Sequence, residues 1–208
     1  MSSSRKRNSA QTIQAILEAA REEFIESGIN KAKIETIAER AGVSQQLIYH
    51  YFGGKENLYQ EMLTDLATLD VTRAKSLSFD DVEPVEALTQ FISILFAANH
   101  RAGRLVIDQI QQEGKQIIDR NPIRASTAKH IETLTSILER GKAARVFRDD
   151  INGEDLFILI WMLSFGLSSF GPMASKYIDR DFVAEINGGY WRDFAINFIL
   201  NSVATRSR

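Results

Sequence analysis

The chain has 208 residues and a formal net charge of −2, with 44% hydrophobic and 25% charged residues. That is enough chain to bury a substantial core, and its charge balance excludes a wholly basic nucleic-acid coat, so any DNA contact has to be local. Cysteine is absent, which excludes disulfides, thiolate zinc sites, iron–sulfur clusters and cysteine nucleophiles, and suits a reducing, cytoplasmic setting.

The first segment, MSSSRKRNSAQ, carries charge without an apolar stretch, so it does not read as a secretory signal. Arg5, Lys6 and Arg7 make it a short basic arm. Ile13, Ile16, Leu17, Ala20 and Phe24 then fall on one helix stripe, with Glu18, Glu22 and Glu26 as a solvated face and Gly28 as a natural C-cap. Ile34, Ile37, Ala38 and Ala41 mark a second, short helix interrupted at Gly42. Ser44 can N-cap a third helix running through Phe52. Gly53-Gly54 breaks the chain, and Lys55 restarts a helix to about Lys75 with Tyr59, Met62, Leu63 and Leu66 inward.

The stretch SLSFDDVEP, Ser76–Pro84, is acidic and turn-like and reads as a joint between domains. Pro84 suits the first turn of the next helix, whose apolar side is Leu88, Phe91, Ile92, Leu95 and Phe96. Gly103 to Glu113 predicts a separate helix. Asn121-Pro122 precedes a helix bearing Ile131, Leu134 and Leu138, which Gly141 is expected to end. The segment from Asp149 to Asp155 is faintly like a calcium loop, but its Gly and Glu are out of register, so helix capping by Asp150 or Asn152 is the reading adopted. Leu156–Ser169 is apolar nearly all round, and Gly171-Pro172 predicts its stop. Its longest apolar run, Leu156–Leu163, is too short to cross a bilayer. The last helix runs from Gly189 to about Val203, with Trp191, Phe194, Ala195, Phe198, Ile199 and Leu200 apolar and Asp193, Asn197 and Asn201 in a polar row. No strand pattern and no internal repeat is visible.

The informative segment is KIETIAERAGVSQQLIYHYF, Lys33–Phe52. Ala38 and Gly42 are small where two helices must cross closely, and Gly42 also tolerates a left-handed turn. Val43 plugs the turn into the core, while Ile48 and Phe52 anchor the second helix from below. Gln45, Gln46, Tyr49 and His50 are left outward, long enough to reach base edges or phosphates. Lys55 and the N–H groups of the helix it opens can meet phosphate. Lys31 and Lys33 add charge near the start of the second helix, and the basic arm can add backbone or minor-groove contacts. Periodicity alone leaves two readings open, a DNA-binding motif or a structural corner.

The string Ile37-Ala38…Ala41-Gly42-Val43-Ser44…Ile48-Tyr49-His50-Tyr51-Phe52…Lys55-Glu56-Asn57-Leu58 closely resembles the pattern of the TetR (tetracycline-repressor-like) family. It follows a first helix ending in Phe24 and Gly28, as in that family, and the resemblance spans residues 10–70. It implies an all-α fold, with an N-terminal three-helix helix-turn-helix DNA-binding module over residues 10–70 (the motif itself at 33–52). A larger α-helical effector-binding and dimerisation domain would follow over residues 84–204. The function it implies is that of a sequence-specific regulator, a repressor released from its double-stranded DNA operator by a small-molecule effector. The DNA-binding residues would be Lys33, Ser44, Gln45, Gln46, Tyr49, His50, Tyr51 and Lys55. Two positions depart from the pattern. Ala32-Lys33 stands where many members have Thr-Thr or Ser-Thr, so a charge contact would replace a hydroxyl–phosphate contact. Leu47 stands where a small residue is common, and its role is either core or DNA-facing.

Asn99, Gln109, His130 and Trp161 are the polar-tipped residues near the apolar stripes and are candidate effector contacts. His100 and His130 have no convergent ligands in sequence, so no metal is expected, and no cofactor. An enzyme would need a nucleophile–base pair, a phosphate loop or a metal motif, and none is written here. The last two helices carry more apolar surface than one partner face can bury, which predicts a homodimer closed by a four-helix bundle across a two-fold axis. No membrane partner is expected.

Overall fold

The computed structural model describes residues 2–111 and 121–205; the side chains of residues 2–8, 99–104, 106, 107, 109–111, 121 and 167–169 lie outside that description. The described residues form α1 (Ser2–Lys31), α2 (Ile34–Ala41), α3 (Gln45–Phe52), α4 (Lys55–Ser76), α5 (Pro84–Gln111), α6 (Asn121–Ala143), α7 (Gly153–Tyr177), α8 (Phe182–Asn187) and α9 (Tyr190–Val203). Extended pairing among them amounts to an isolated antiparallel bridge between Phe147 and Ala204. The chain divides into two compact units, Met1–Asp70 with Arg104–Arg124, and Val71–Gly103 with Ala125–Arg208. Helices α4 and α5 each contribute residues to both units.

In the first unit, the stripes read from sequence converge. Ile16, Ala20 and Phe24 of α1 meet Ile37 and Ala38 of α2, Ile48 of α3, and Leu58, Tyr59 and Met62 of α4. Leu105 of α5 joins the same core. The rings of Phe24 and Tyr59 meet edge to face at 4.9 Å, a geometry that aligns ring edge with ring face. Gly28 has φ 73° and ψ 160°, which breaks the helical run, but one further turn continues to Lys31.

In the second unit, Leu88, Phe91 and Ile92 of α5 pack with Leu134, Ile137 and Leu138 of α6, Phe157 and Ile160 of α7, and Ala195 and Ile199 of α9. The acidic joint is held by Arg140, whose guanidinium donates to the carbonyls of Phe79 (2.7 Å), Asp80 (3.1 Å) and Val82 (2.8 Å). Asn152 caps α7, accepting from the N–H groups of Glu154 and Asp155 at 2.7 and 3.2 Å.

Four elements differ from the sequence reading. Residues 84–111 form one helix, because Gly103 has neither a proline nor a cap beside it, and one interior glycine is a tolerable loss of about 1 kcal/mol. Gly141 lies inside α6 rather than at its end. Its missing side chain makes room for Phe147, whose ring would lie 1.9 Å from an added Cβ. Helix α7 passes through Pro172 to Tyr177. The proline's lost N–H and ring clash are absorbed by a 65° bend between Gly153–Gly166 and Phe170–Tyr177. Helix α8, capped by Asp181 accepting from Ala184 N–H at 3.0 Å, has too short an apolar pattern to be visible in sequence.

Candidate nucleic-acid interface

The helix-turn-helix is set by its turn. Gly42 adopts φ 66° and ψ 33°, and the N–H of Val43 returns to the carbonyl of Ala38 at 3.0 Å. An added Cβ at Gly42 would meet nothing within 4 Å. This corrects the close-crossing argument for Gly42: its need is conformational, since a left-handed φ strains any residue with a Cβ. Ala38 is buried, and Val43 packs half-buried against the core.

Ser44 opens α3 and accepts from Leu47 N–H at 3.3 Å, satisfying one of the donors a helix start leaves over. Ile48 is fully buried. Tyr51 and Phe52 lean half-buried on the core, so Tyr51 is partly a packing residue. The opposite side of α3 is polar and solvent-facing: Gln45, Gln46 and His50 are exposed, and Tyr49 is 52% exposed. The rings of His50 and Tyr51 meet edge-on at 5.4 Å, which limits how freely His50 can swing. Leu47 is half-buried but outside the core cluster, at the rim between the two faces.

The cations behave differently from one another. The side chain of Lys33 is exposed, and its own N–H donates to Glu23 Oε1 at 3.3 Å. Lys55 points its ammonium at the carbonyls of Asn30 (3.4 Å) and Ala32 (3.2 Å), so in this conformation it clamps the turn between α1 and α2. Arg40 pairs with Glu26 at 2.7 Å and lies 3.5 Å from Glu23. Glu23, only 5% exposed, holds the Lys33 N–H and faces Arg40, a pair of contacts the sequence reading missed. In sequence it sits in a run of solvated glutamates, and only its partners Lys33, in the joint, and Arg40, on α2, set it apart. The basic arm at Arg5, Lys6 and Arg7 lies outside the described side chains.

Of the four candidate effector residues, His130 and Trp161 have described side chains, and the two face differently. Asn99 and Gln109 lie outside the described side chains. His130 is buried, stacked on Phe157 at 6.2 Å and edge-on to Phe91 at 6.0 Å, as part of the core of the second unit. Trp161 is turned out to solvent, 42% exposed, with its ring edge on Phe165 at 4.9 Å. The nearly all-round apolar character of α7 over Leu156–Ser169 concealed which side faces in. An open cleft of about 200 Å³ lies elsewhere in the same unit, lined by Leu77, Phe79, Lys129, Thr133, Ile137 and Arg140 among others. Among the described residues no group of three or more His, Asp or Glu side chains could hold a metal ion. No single helix there is long and apolar enough to cross a membrane.

Two family models match the chain. The one described as bacterial regulatory proteins of the tetR family covers residues 16–62, and the tetracyclin repressor-like C-terminal domain covers residues 82–199. The chain belongs to the TetR family. Its members are helix-turn-helix DNA-binding transcriptional regulators, and this protein is one of them. It is 25% identical to the transcriptional repressor NicS of Pseudomonas putida over 203 residues, covering 96% of this chain and 95% of NicS. It is 28% identical to the transcriptional regulator RutR of Escherichia coli over 174 residues, covering 76% of this chain and 74% of RutR. A transcriptional regulator from Saccharomonospora viridis, solved in complex with choline, shares the fold with a TM-score of 0.72 at 17% identity, covering 95% of this chain and all of that one.

Proposed function

We propose that this TetR-family member is a transcriptional repressor whose α3 reads a double-stranded operator and which a small molecule releases. The observation that carries the reading is the division of α3: a fully buried Ile48 and leaning Phe52 on one side, with exposed Gln45, Gln46, Tyr49 and His50 on the other. Glutamine amides match the donor and acceptor edges of bases, while Lys33, Ser44, Tyr49, Tyr51 and Lys55 serve the phosphates. Lys55 would do so by leaving the Asn30 and Ala32 carbonyls or by sharing its ammonium protons with them. Repression is favoured by the relative NicS, named a repressor.

The protein works as a homodimer through α7 and α9, in the cytoplasm where its operator is, and is a regulator rather than an enzyme. Ile158, Leu159 and Met162 on α7 and Phe194 and Phe198 on α9 are all exposed on the single chain, an apolar load that a second copy would bury. The choline complex of the S. viridis regulator supports a small ligand as the effector class, and the 84–204 region is its proposed place. To lower operator affinity tenfold, that ligand must favour the non-binding state by about 1.4 kcal/mol.

The test is selection of bound duplexes from a random-sequence DNA library by the purified protein, followed by footprinting. Recovery of a two-fold symmetric site with half-sites about one helical turn apart supports the reading. Recovery of no enriched sequence sinks it.

A further inference from the structure

The joint between α1 and α2, residues 28–33, is held from three directions. Glu23 of α1 accepts from Lys33 N–H at 3.3 Å. Lys55, at the start of α4, donates to the carbonyls of Asn30 and Ala32. The third hold comes from far along the chain: Asp108 of α5 accepts from Ile29 N–H through Oδ2 at 3.1 Å, across 79 residues of sequence. Both residues are buried, Asp108 at 8% exposure. Leu105, three residues earlier and so on the same face of α5, is inserted in the core of this unit.

A carboxylate is an unfavourable residue to bury, and packing alone would be served better by a leucine. What an apolar residue cannot do is accept a hydrogen bond. Gly28, with φ 73° and ψ 160°, interrupts the α1 ladder immediately before Ile29. The Ile29 N–H therefore needs an acceptor from outside the helix, and a buried N–H left without one is destabilising. Asp108 supplies it at the point where the chain turns toward α2.

We propose that Asp108 is a positioning residue for DNA binding. It fixes the α1–α2 joint from α5, and thereby the entry of the chain into the helix-turn-helix. The proposal rests on the reading of α3 as the DNA-binding helix. Asp108 is carried by a helix whose earlier residues, Pro84–Gly103, belong to the other unit, so the joint depends on a residue outside the DNA-binding sequence motif.

The experiment uses the full chain and a duplex selected by the wild-type protein from a random library, below the melting temperature of every variant. Asp108→Asn keeps an acceptor oxygen at the same reach, and Asp108→Leu removes it. The leucine variant is expected to lose about tenfold in affinity, and the asparagine variant to stay within about threefold of wild type, the scale of one buried hydrogen bond. If Asp108→Leu melts lower but binds the duplex like wild type, Asp108 is structural only and the proposal fails. Should Asp108→Leu not fold, Asp108→Ser, with a hydroxyl too short to reach Ile29, takes its place. Amide exchange at Ile29 tests the bond in the wild-type protein with no DNA present. Slow exchange is expected there and in Asp108→Asn; exchange as fast as an exposed amide would overturn the bond and the proposal with it. If the wild-type protein selects no duplex, the DNA-binding reading fails, a result separate from the exchange at Ile29.

Discussion

Two glycines show how one residue type meets two different needs. Gly42 has open space around it and a left-handed φ of 66°, whereas Gly141 is helical and has the Phe147 ring where its Cβ would be. Gly42→Ala is expected to destabilise by about 1–2 kcal/mol, the strain of a left-handed alanine. Gly141→Ala is expected to lose about 1–3 kcal/mol, the scale of core overpacking, and the double variant Gly141→Ala with Phe147→Leu to recover part of it. Urea unfolding of the variants checks both; a Gly141→Ala as stable as wild type would contradict the packing described. Asp65 is a second case. Burial pushes its carboxyl above the usual carboxylate range, against a hydrogen bond from Gln14 and the charge of Arg21. A carboxyl whose folded pKa is raised stabilises the fold below its unfolded pKa and loses that contribution as pH rises through the folded value. Ionised Asp65 therefore weighs against the fold at neutral pH. Asp65→Asn is expected to raise the melting temperature at about pH 7, with the gain shrinking as the pH falls toward the carboxylate range near about 4. Melting scans across that range would show a constant or inverted difference if the burial argument were wrong.

Helix α3 is short, and its proposed role rests on its two faces. Gln45→Ala or Gln46→Ala is expected to change sequence preference, by about 1–3 kcal/mol at the base contacted, with little change in salt dependence. Removing Tyr49 and Lys55 together is expected to weaken binding to all duplexes and flatten the salt dependence. Competition binding at several salt concentrations distinguishes the two patterns; a double variant that binds as wild type does would displace α3 from its proposed role. The double variant also removes the clamp on Asn30 and Ala32, so its fold is checked by circular dichroism before binding is compared. Both ends of α3 and the start of α4 were legible in sequence because Ser44, Gly53 and Gly54 act within a few residues of their own positions. Helix α7 was not legible in the same way. A proline normally ends a helix, yet here the chain bends by 65° and continues, and that choice depends on what the later turn packs against.

For the whole molecule, the outward apolar rows of α7 and α9 are the feature with the largest consequence. Phe194 and Phe198 stack at 6.4 Å with their rings nearly parallel, and Phe198 is 56% exposed. Burying one phenylalanine is worth about 1.5–3 kcal/mol, so a row of them left in water favours association. Phe198→Glu is expected to convert a dimer to monomer at low micromolar concentration, read by light scattering. A variant that remained dimeric would place the interface elsewhere. The variant is also expected to lose operator affinity, because two half-sites would no longer be bound as one.

The stripes of α1, α2, α4, α5 and α9, the caps at Ser44 and Asn152 and the turn at Gly42 could be read from the chain alone. A helix buries residues at a fixed period, and a cap or a left-handed turn acts on the two or three residues beside it. The polar face of α3 followed by the same logic, since Ile48 and Phe52 left one side free. The tertiary structure alone decided the rest. It placed Glu23 against Lys33 and Arg40 instead of in solvent, set His130 between Phe91 and Phe157, turned Trp161 outward, and brought Arg140 to the acidic joint. It also carried Asp108 to Ile29. A hydrogen bond across 79 residues leaves no periodicity in sequence, because its two ends are neighbours only after the helices between them have packed.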